Sequence, residues 1–275
     1  MLAEDWTTKI DTSVPNPARI YDYLLGGKDN YPADREVAEQ LIAVAPVALE
    51  VVRDNRAFLR RAVSFLTGEA GIRQFIDLGS GLPTHGNVHE IARSIAPDAR
   101  VVYVDNDAMV VTHSRALLAG EHTIAVQADL REPEAIVGHP EVRKLIDFDR
   151  PVALLLLAIL HFVPDDQDPH GIVARFRDAL PPGSYLAISH GTTDIPERHD
   201  MSPAQMAEMG ARVERLYQLP NASIVSRTRA QVERFFDGFD LVEPGLVEIQ
   251  RWRPDSQSSL LPGGFYGGVG RRRGA

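Results

Sequence analysis

The stretch Arg73-Gln-Phe-Ile-Asp-Leu-Gly-Ser-Gly-Leu-Pro-Thr84 passes from a buried strand through a glycine turn into the start of a helix. Phe75, Ile76 and Leu78 form the short apolar run of a strand in a parallel sheet. Gly79 and Gly81 give the backbone freedom for a tight turn and let it approach a ligand closely. A ligand site is therefore expected at the carboxyl end of this strand, around Gly79, Ser80 and Gly81. Two glycines also occur in strand-to-helix turns for geometry alone, so the neighbouring residues have to narrow the choice.

Two of them do. Pro83 stands near the place of a third glycine in a dinucleotide fingerprint, and proline withholds an amide donor that a pyrophosphate at a helix start would use. A phosphate-bearing cofactor is disfavoured. Asp77, two residues before Gly79, offers a carboxylate to a ligand ammonium, a charge-assisted contact that NAD does not need. S-adenosylmethionine carries such an ammonium and no phosphate.

Working outward, residues 1–15 are polar. Asn16 and Pro17 are a cap followed by proline at a first helical position, and they predict a helix through Leu25 that ends at Gly26-Gly27. Asp34 is expected to open a second helix to about Val44. A third is expected over residues 46–65, with Val47, Val51, Phe58, Ala62 and Phe65 at helical spacing. Residues 1–70 read as a helical cap or lid ahead of a second unit, residues 71–275. There the pattern alternates, with strands expected at 75–78, 101–104, 124–127, 152–158 and 185–189 and helices at 88–95, 108–118 and 168–180. Short helical pieces are expected near Pro133 and Pro140. The continuous run Ala153-Leu-Leu-Leu-Leu157 belongs at the sheet centre, buried on both faces. Residues 203–219 form an amphipathic piece of an inserted segment, 195–222, ahead of a helix at 229–236. Terminal strands are expected at 241–243, 245–252 and 265–269, with a loop at 254–264. Alternating βα units imply a doubly wound parallel sheet whose ligand sits outside the strands' carboxyl ends.

Composition sets bounds. The 275 residues are 44% hydrophobic and 24% charged, enough for one large α/β core. A net charge of -9 argues against nucleic acid as a partner, since the only dense basic run is Arg271-Arg272-Arg273 near the chain's end. The sequence has no cysteine, which excludes disulfides, thiolate nucleophiles and cysteine-ligated zinc. The first residues lack a leader pattern and the longest apolar run, 152–160, is too short to span a bilayer. A cytoplasmic protein with no membrane partner is the expectation.

The acidic residues at the strand ends carry the argument further. Asp105 closes the second strand, where an acid accepts hydrogen bonds from ribose hydroxyls, with Asp107 its nearby competitor. Asp129 closes the third strand, where a carboxylate accepts from an adenine amino group while the Leu130 amide donates to the ring. Asn106 and Ala158, after the second and fourth strands, are further candidates for the cofactor site. Each acid alone is explained by a helix cap or a solvated turn. Three at the ends of consecutive strands are harder to explain that way.

These residues resemble the motifs of class I S-adenosylmethionine-dependent methyltransferases: Asp77-Leu-Gly-Ser-Gly81 the first, Tyr103-Val-Asp105 the second and Ala128-Asp129-Leu130 the third. Over the whole chain, Pro17-Ala-Arg-Ile-Tyr-Asp-Tyr-Leu-Leu-Gly-Gly-Lys-Asp-Asn30, Asn55-Arg-Ala-Phe-Leu-Arg-Arg61 and Phe265-Tyr-Gly-Gly-Val-Gly270 resemble a bacterial S-adenosyl methyltransferase family once catalogued as a domain of unknown function. The resemblance implies a Rossmann-like α/β sheet of seven strands in the order 3-2-1-4-5-7-6, strand seven antiparallel. It also implies S-adenosylmethionine as cofactor and methyl transfer to an oxygen or nitrogen of a small molecule, with secondary metabolism as a setting. Leu82-Pro83, where a third glycine often stands, is the departure.

Methyl transfer mainly requires that the acceptor atom, methyl carbon and sulfur be held in line. Where a base helps, His161 after the fourth strand and His190 after the fifth are the candidates, each with a structural histidine as the alternative. His85 and His89 have the i, i+4 spacing of metal ligands but lack a third ligand, so no metal is expected. Phe162 either faces the sulfonium or fills the core. Tyr21, Tyr23, Lys28 and Asn30 are lid candidates over the acceptor. Arg56 and Arg60 are candidates for the methionine carboxylate, and Met201, Met206 and Met209 make the inserted segment a second cover. Three alternatives stand: a regulatory protein that binds S-adenosylmethionine without turnover, an NAD-dependent oxidoreductase, and an interaction protein that binds neither. A monomer or homodimer is expected.

Overall fold

The computed structural model describes residues 11–83, 86–118, 120–192, 201–220, 222–255 and 264–274. Its strands are β1 (Gln74–Leu78), β2 (Arg100–Asp105), β3 (Thr123–Gln127), β4 (Ala153–Leu157), β5 (Tyr185–Gly191), β6 (Phe239–Leu241), β7 (Val247–Glu248) and β8 (Phe265–Arg272). They form one sheet in the order β3-β2-β1-β4-β5-β8-β6, with β7 paired to β8 beside β6. Strands β1 to β5 are parallel, and β8 runs antiparallel to β5 and β6. The expected antiparallel strand seven is β8, its number raised by one because the two-residue β7 intervenes. Residues 245–252 do not form the long strand expected of them. Arg61 donates to the carbonyl oxygens of Ile249 at 2.6 Å and Trp252 at 2.9 Å, and the chain turns inward there as a short 3-10 turn.

Before the sheet come α1 (Pro17–Leu24), α2 (Pro32–Val44) and α3 (Ala48–Gly68). Asn16 caps α1 as expected, its side chain accepting from the Ala18 amide at 2.8 Å. The second helix starts two residues before Asp34. Pro32 takes the first helical position, and the Asp34 carboxylate reaches back to the Tyr31 amide at 2.9 Å. The crossover helices are α4 (Val88–Ile95), α5 (Ala108–Leu118), α6 (Pro133–Val137), α7 (Pro140–Leu145) and α8 (Pro169–Ala179), followed by α9 (Pro203–Leu216) and α10 (Arg229–Glu233).

Alternation along the strands splits the core in two. Val102, Val104, Leu154 and Leu156 face a layer that includes Ile136, Phe176 and Phe235. Val101, Tyr103, Ala153 and Leu155 face Phe58, Ala62 and Leu66 of α3 and Val88 of α4. Each fully buried side chain of this size stabilises by roughly 1.5–3 kcal/mol. The third helix thus has two duties. Its C-terminal half completes a sheet layer, while Val52 near its start joins Ile20, Leu24, Leu41 and Tyr217 in a smaller cluster. That cluster holds α1 and α2 above the carboxyl ends of the strands. No helix among the described residues is long and apolar enough to cross a membrane.

Candidate active site

A cavity of about 390 Å³ opens at the carboxyl ends of β1, β2, β4 and β5 and runs inward beneath α1, α2, α3 and α9. On its wall the chain leaving β1 turns sharply. Gly79 has φ +66°, and a Cβ placed there would lie 2.3 Å from Ile159 Cγ1, so no larger residue fits. Gly81 has φ +64° with open space beside it. Ser80 lies between them on the cavity wall.

Asp77 is only 6% exposed, and its carboxylate has no hydrogen-bond partner among the described residues. Burial pushes its pKa up to about 7, against the opposing pull of the Arg56 guanidinium. A buried carboxylate that lines a cavity without a hydrogen-bond partner among the described residues suits a ligand cation. Asp105 is arranged differently. Its Oδ2 accepts from the Gly81 amide at 3.0 Å and its Oδ1 from the Asp107 amide at 3.0 Å, which fixes the carboxylate while leaving acceptor capacity for hydroxyls. Burial is the largest influence on it and raises its pKa to about 6. Asp107 is not the competitor it was expected to be. It accepts from the Asn16 side chain at 2.6 Å and so joins the start of α1 to the end of β2.

Asn106, Asp129, Leu130 and Ala158 all line the cavity. The Asp129 carboxylate is paired with the Arg131 guanidinium, which together with Asn106 lowers its pKa. An adenine amino group would share that carboxylate with Arg131. Ala158 follows β4 with φ 54°, and its amide donates to Ser189 Oγ at 2.9 Å. From there a chain of hydrogen bonds crosses the site. The Ser189 hydroxyl donates to Asn55 Oδ1 at 2.6 Å, Asn55 Nδ2 to the Tyr21 hydroxyl at 2.9 Å, and that hydroxyl to the Val52 carbonyl at 3.2 Å. Tyr21 is thereby held in the cavity wall.

The remaining lid candidates stand elsewhere. Asn30 is buried inside the turn after α1. It donates to Asp22 at 2.8 Å and accepts from Arg35 at 2.7 Å, so it fixes the turn instead of facing a ligand. Tyr23 donates to Glu39 at 3.2 Å and Lys28 is exposed; neither lines the cavity. Arg60 pairs with Asp255 at 2.7 Å and is also outside it, whereas Arg56 lines the cavity.

The two histidines separate. His190 lies inside β5, not after it, and does not line the cavity. Its Nδ1 meets the Gly191 carbonyl at 2.7 Å, and Arg227 donates to its Nε2 at 2.9 Å. Burial pushes its pKa down to about 3, and with both nitrogens engaged it is a structural residue. His161 does line the cavity, where Phe162 also lies. Its Nδ1 accepts from the Gly191 amide at 3.4 Å, and burial holds its pKa well below the usual range, aided by His190 and Arg227. An Nδ1 that accepts puts the single proton of the neutral ring on Nε2. The base expected at this position is therefore set up as a donor.

Of the expected metal pair, His85 lies outside the described residues. His89 Nδ1 is 2.9 Å from the Tyr103 hydroxyl, and no group of three or more metal-ligating side chains occurs among the described residues. The proposed second cover is described only in part, since residues 195–200 and 221 of it are outside the described set. Within α9, Met206 and Met209 reach the cavity. Arg227 gave no signal in the sequence. It is 1% exposed and donates to the carbonyls of Leu160 at 3.1 Å and Val163 at 2.8 Å and to Asp165 at 2.6 Å, clamping the segment after β4 that carries His161.

A mixed sheet of this order, parallel through β1 to β5, with a glycine turn after β1 and acids at the ends of β1 and β2, defines a Rossmann-like methyltransferase fold. The chain belongs to the S-adenosyl methyltransferase family, whose model matches residues 3–273. It is a S-adenosylmethionine-dependent methyltransferase. A DUF574 family protein from Streptomyces avermitilis is 45% identical, the match covering 96% of this chain and 100% of that one at TM-score 0.89. A candidate methyltransferase from Thermobifida fusca is 44% identical over 96% of this chain and 97% of that one, at TM-score 0.86. More distantly, the 1,6-didemethyltoxoflavin N1-methyltransferase of Burkholderia thailandensis shares the fold at 18% identity and TM-score 0.50, over 87% of this chain and 89% of that one. No curated protein matches the sequence.

Proposed function

We propose that the chain transfers a methyl group to an oxygen or nitrogen of a small molecule enclosed in the inner part of the cavity. The observation that carries this is the buried Asp77, whose carboxylate has no hydrogen-bond partner among the described residues, in the wall of a cavity that also runs under helices. When bound, S-adenosylmethionine supplies an activated methyl on a sulfonium. The chain's own residues do the rest: Asp77 receives the ammonium, Asp105 the ribose hydroxyls, and Asn106, Asp129 and Leu130 stand where the adenine would lie. Gly79, Ser80, Gly81 and Ala158 shape the wall between them. Tyr21, fixed through Asn55 and Ser189, closes the site from above.

In this reading residues 1–70 supply a lid, α3 anchors it to the sheet, and segment 195–222 is an inserted second cover of residues 71–275. The cavity beneath the helices and the charge of -9 favour a small neutral acceptor over nucleic acid. We place the protein in the cytoplasm as a monomer or homodimer, with secondary metabolism as its setting.

Calorimetric titration with S-adenosylmethionine, S-adenosylhomocysteine and NAD tests the cofactor site. Binding of the first two without NAD is expected; binding of NAD alone would overturn it. One observation favours a second reading, a protein that binds the cofactor without turnover: neither His161 nor His190 is arranged to accept a proton. Release of S-adenosylhomocysteine on incubation with a panel of phenols, amines and heteroaromatics decides between the two.

A further inference from the structure

Beyond the cofactor end, the cavity wall changes character. Met206, Met209, Gly210 and Val213 stand at spacings of three, one and three on α9, one face of the helix, and line the cavity together with Tyr217 just past its end. Leu41 of α2 and Val51 and Val52 of α3 also line it. Phe162 and Phe265 lie against His161, with ring centroids 4.6 and 5.5 Å from the imidazole. Phe162 also meets Tyr217 at 5.8 Å.

Charge is confined to the other end. Asp77, Asp105, Asp107, Asp129 and Arg131 belong to the cofactor turn and the strand ends, and Arg56 acts on Asp77. Among the described lining residues that leaves Asp22, whose Oδ2 already accepts from the Asp29 amide at 2.9 Å and from Asn30 at 2.8 Å. A charged acceptor would give up its hydration here without gaining a counterion. An aromatic ring would be met by aromatic faces and by methionines that adjust to its outline. His161 is one of the polar side chains on the cavity wall, with Thr192, Tyr217 and Ser226. Its Nδ1 is occupied by the Gly191 amide, and Nε2 has no hydrogen-bond partner among the described residues.

Resting on the methyltransferase reading, we infer that this chamber takes a neutral, flat aromatic or heteroaromatic acceptor, and that His161 binds it by donating from Nε2 to a carbonyl oxygen or ring nitrogen. The aromatic and methionine walls select the ring by shape. His161 sets which edge of the ring turns toward the cofactor end.

The test uses quinolin-2-one as the neutral probe, with quinoline-2-carboxylate and 2-naphthylmethylammonium as charged counterparts and naphthalene as the apolar control. Each is titrated into the full chain saturated with S-adenosylhomocysteine. Quinolin-2-one is expected to bind at least about tenfold more tightly than either charged probe. Met209→Trp, which fills the chamber, should weaken it about tenfold while S-adenosylhomocysteine affinity stays within about twofold. His161→Phe should weaken quinolin-2-one several-fold and leave naphthalene unchanged, a difference that a merely structural role would not produce. Failure of quinolin-2-one to bind, equal binding of the charged probes, or a Met209→Trp variant that keeps both affinities would overturn the inference. If the wild type does not bind S-adenosylhomocysteine, the cofactor site is what fails. The same probes are then titrated into the ligand-free chain, where the same ranking supports the chamber and equal binding overturns it.

Discussion

Asp77 is buried, and its carboxylate has no hydrogen-bond partner among the described residues. Its folded pKa of about 7 lies above the ordinary carboxylate value of 3.8, so between about pH 4 and 7 the ligand-free folded chain holds a proton that the unfolded chain has released. This group's contribution to stability therefore falls as pH rises through that window. Thermal unfolding without ligand should show Asp77→Asn gaining on the wild type as pH goes from 5 to 8; a constant difference would contradict the assignment. Cofactor binding has the opposite sign. The ionised carboxylate pairs with the ammonium, so affinity for S-adenosylmethionine should fall as pH drops below about 7, by up to about tenfold per unit, and calorimetry on Asp77→Asn should show that dependence weakened. Arg227 makes a contrasting case, since its role is inside the fold. Removing it strands the buried Val163 carbonyl and the His190 ring nitrogen and leaves the Leu160 carbonyl with only the Val163 amide, and Arg227→Ala should cost roughly 3 kcal/mol in denaturant unfolding.

At the scale of elements, α1 is joined to the cofactor end through one residue. Asn16 caps the helix with its oxygen and donates to Asp107 with its nitrogen, two residues past Asp105. Its backbone amide also donates to Asp34 at 2.9 Å, and Arg19 pairs with the same carboxylate at 2.8 Å, both partners buried. Loss of the cap alone costs about 1 kcal/mol. Asn16→Ala should therefore lower stability by about that amount and speed dissociation of S-adenosylhomocysteine, measured by stopped-flow fluorescence. An unchanged dissociation rate would detach α1 from the lid role. The short turn at 249–251 illustrates the converse. Arg61 draws it out of the sheet across 188 residues of chain, and strand propensity in 245–252 yields to that contact.

For the whole molecule, the small cluster of Ile20, Leu24, Leu41, Val52 and Tyr217 is separate from the two layers on the sheet. A cluster of that size holds less free energy than the main core, so α1, α2 and α9 should open locally ahead of global unfolding. Hydrogen exchange should be faster in these helices than in β1 and β4 without ligand. It should slow in them on addition of S-adenosylhomocysteine, while the strand centres change little. Slowing confined to the β1 turn would mean that the helices do not close over the site.

The sequence alone determined the alternation of strands and helices, the glycine turn after β1, the acids at the strand ends and the cap at Asn16. Each is a local signal, set by the period of the apolar residues or by the backbone freedom of one residue. It also yielded the strand order, through the resemblance of its motifs. The tertiary structure decided the roles of side chains. His161 and His190 look alike in sequence, both following apolar strand runs, but one faces the cavity and the other is closed between Arg227 and a carbonyl. Asn30 and Lys28 sit in an equally polar loop, and only the fold shows that Asn30 is spent on Asp22. The α9 face was legible as an amphipathic pattern, yet what it faces, partly the cavity and partly the cluster around Tyr217, depends on α2 and α3 arriving from far along the chain. What a polar side chain does is fixed by its neighbours in space, and residues this far apart in the chain become neighbours only when the sheet has formed.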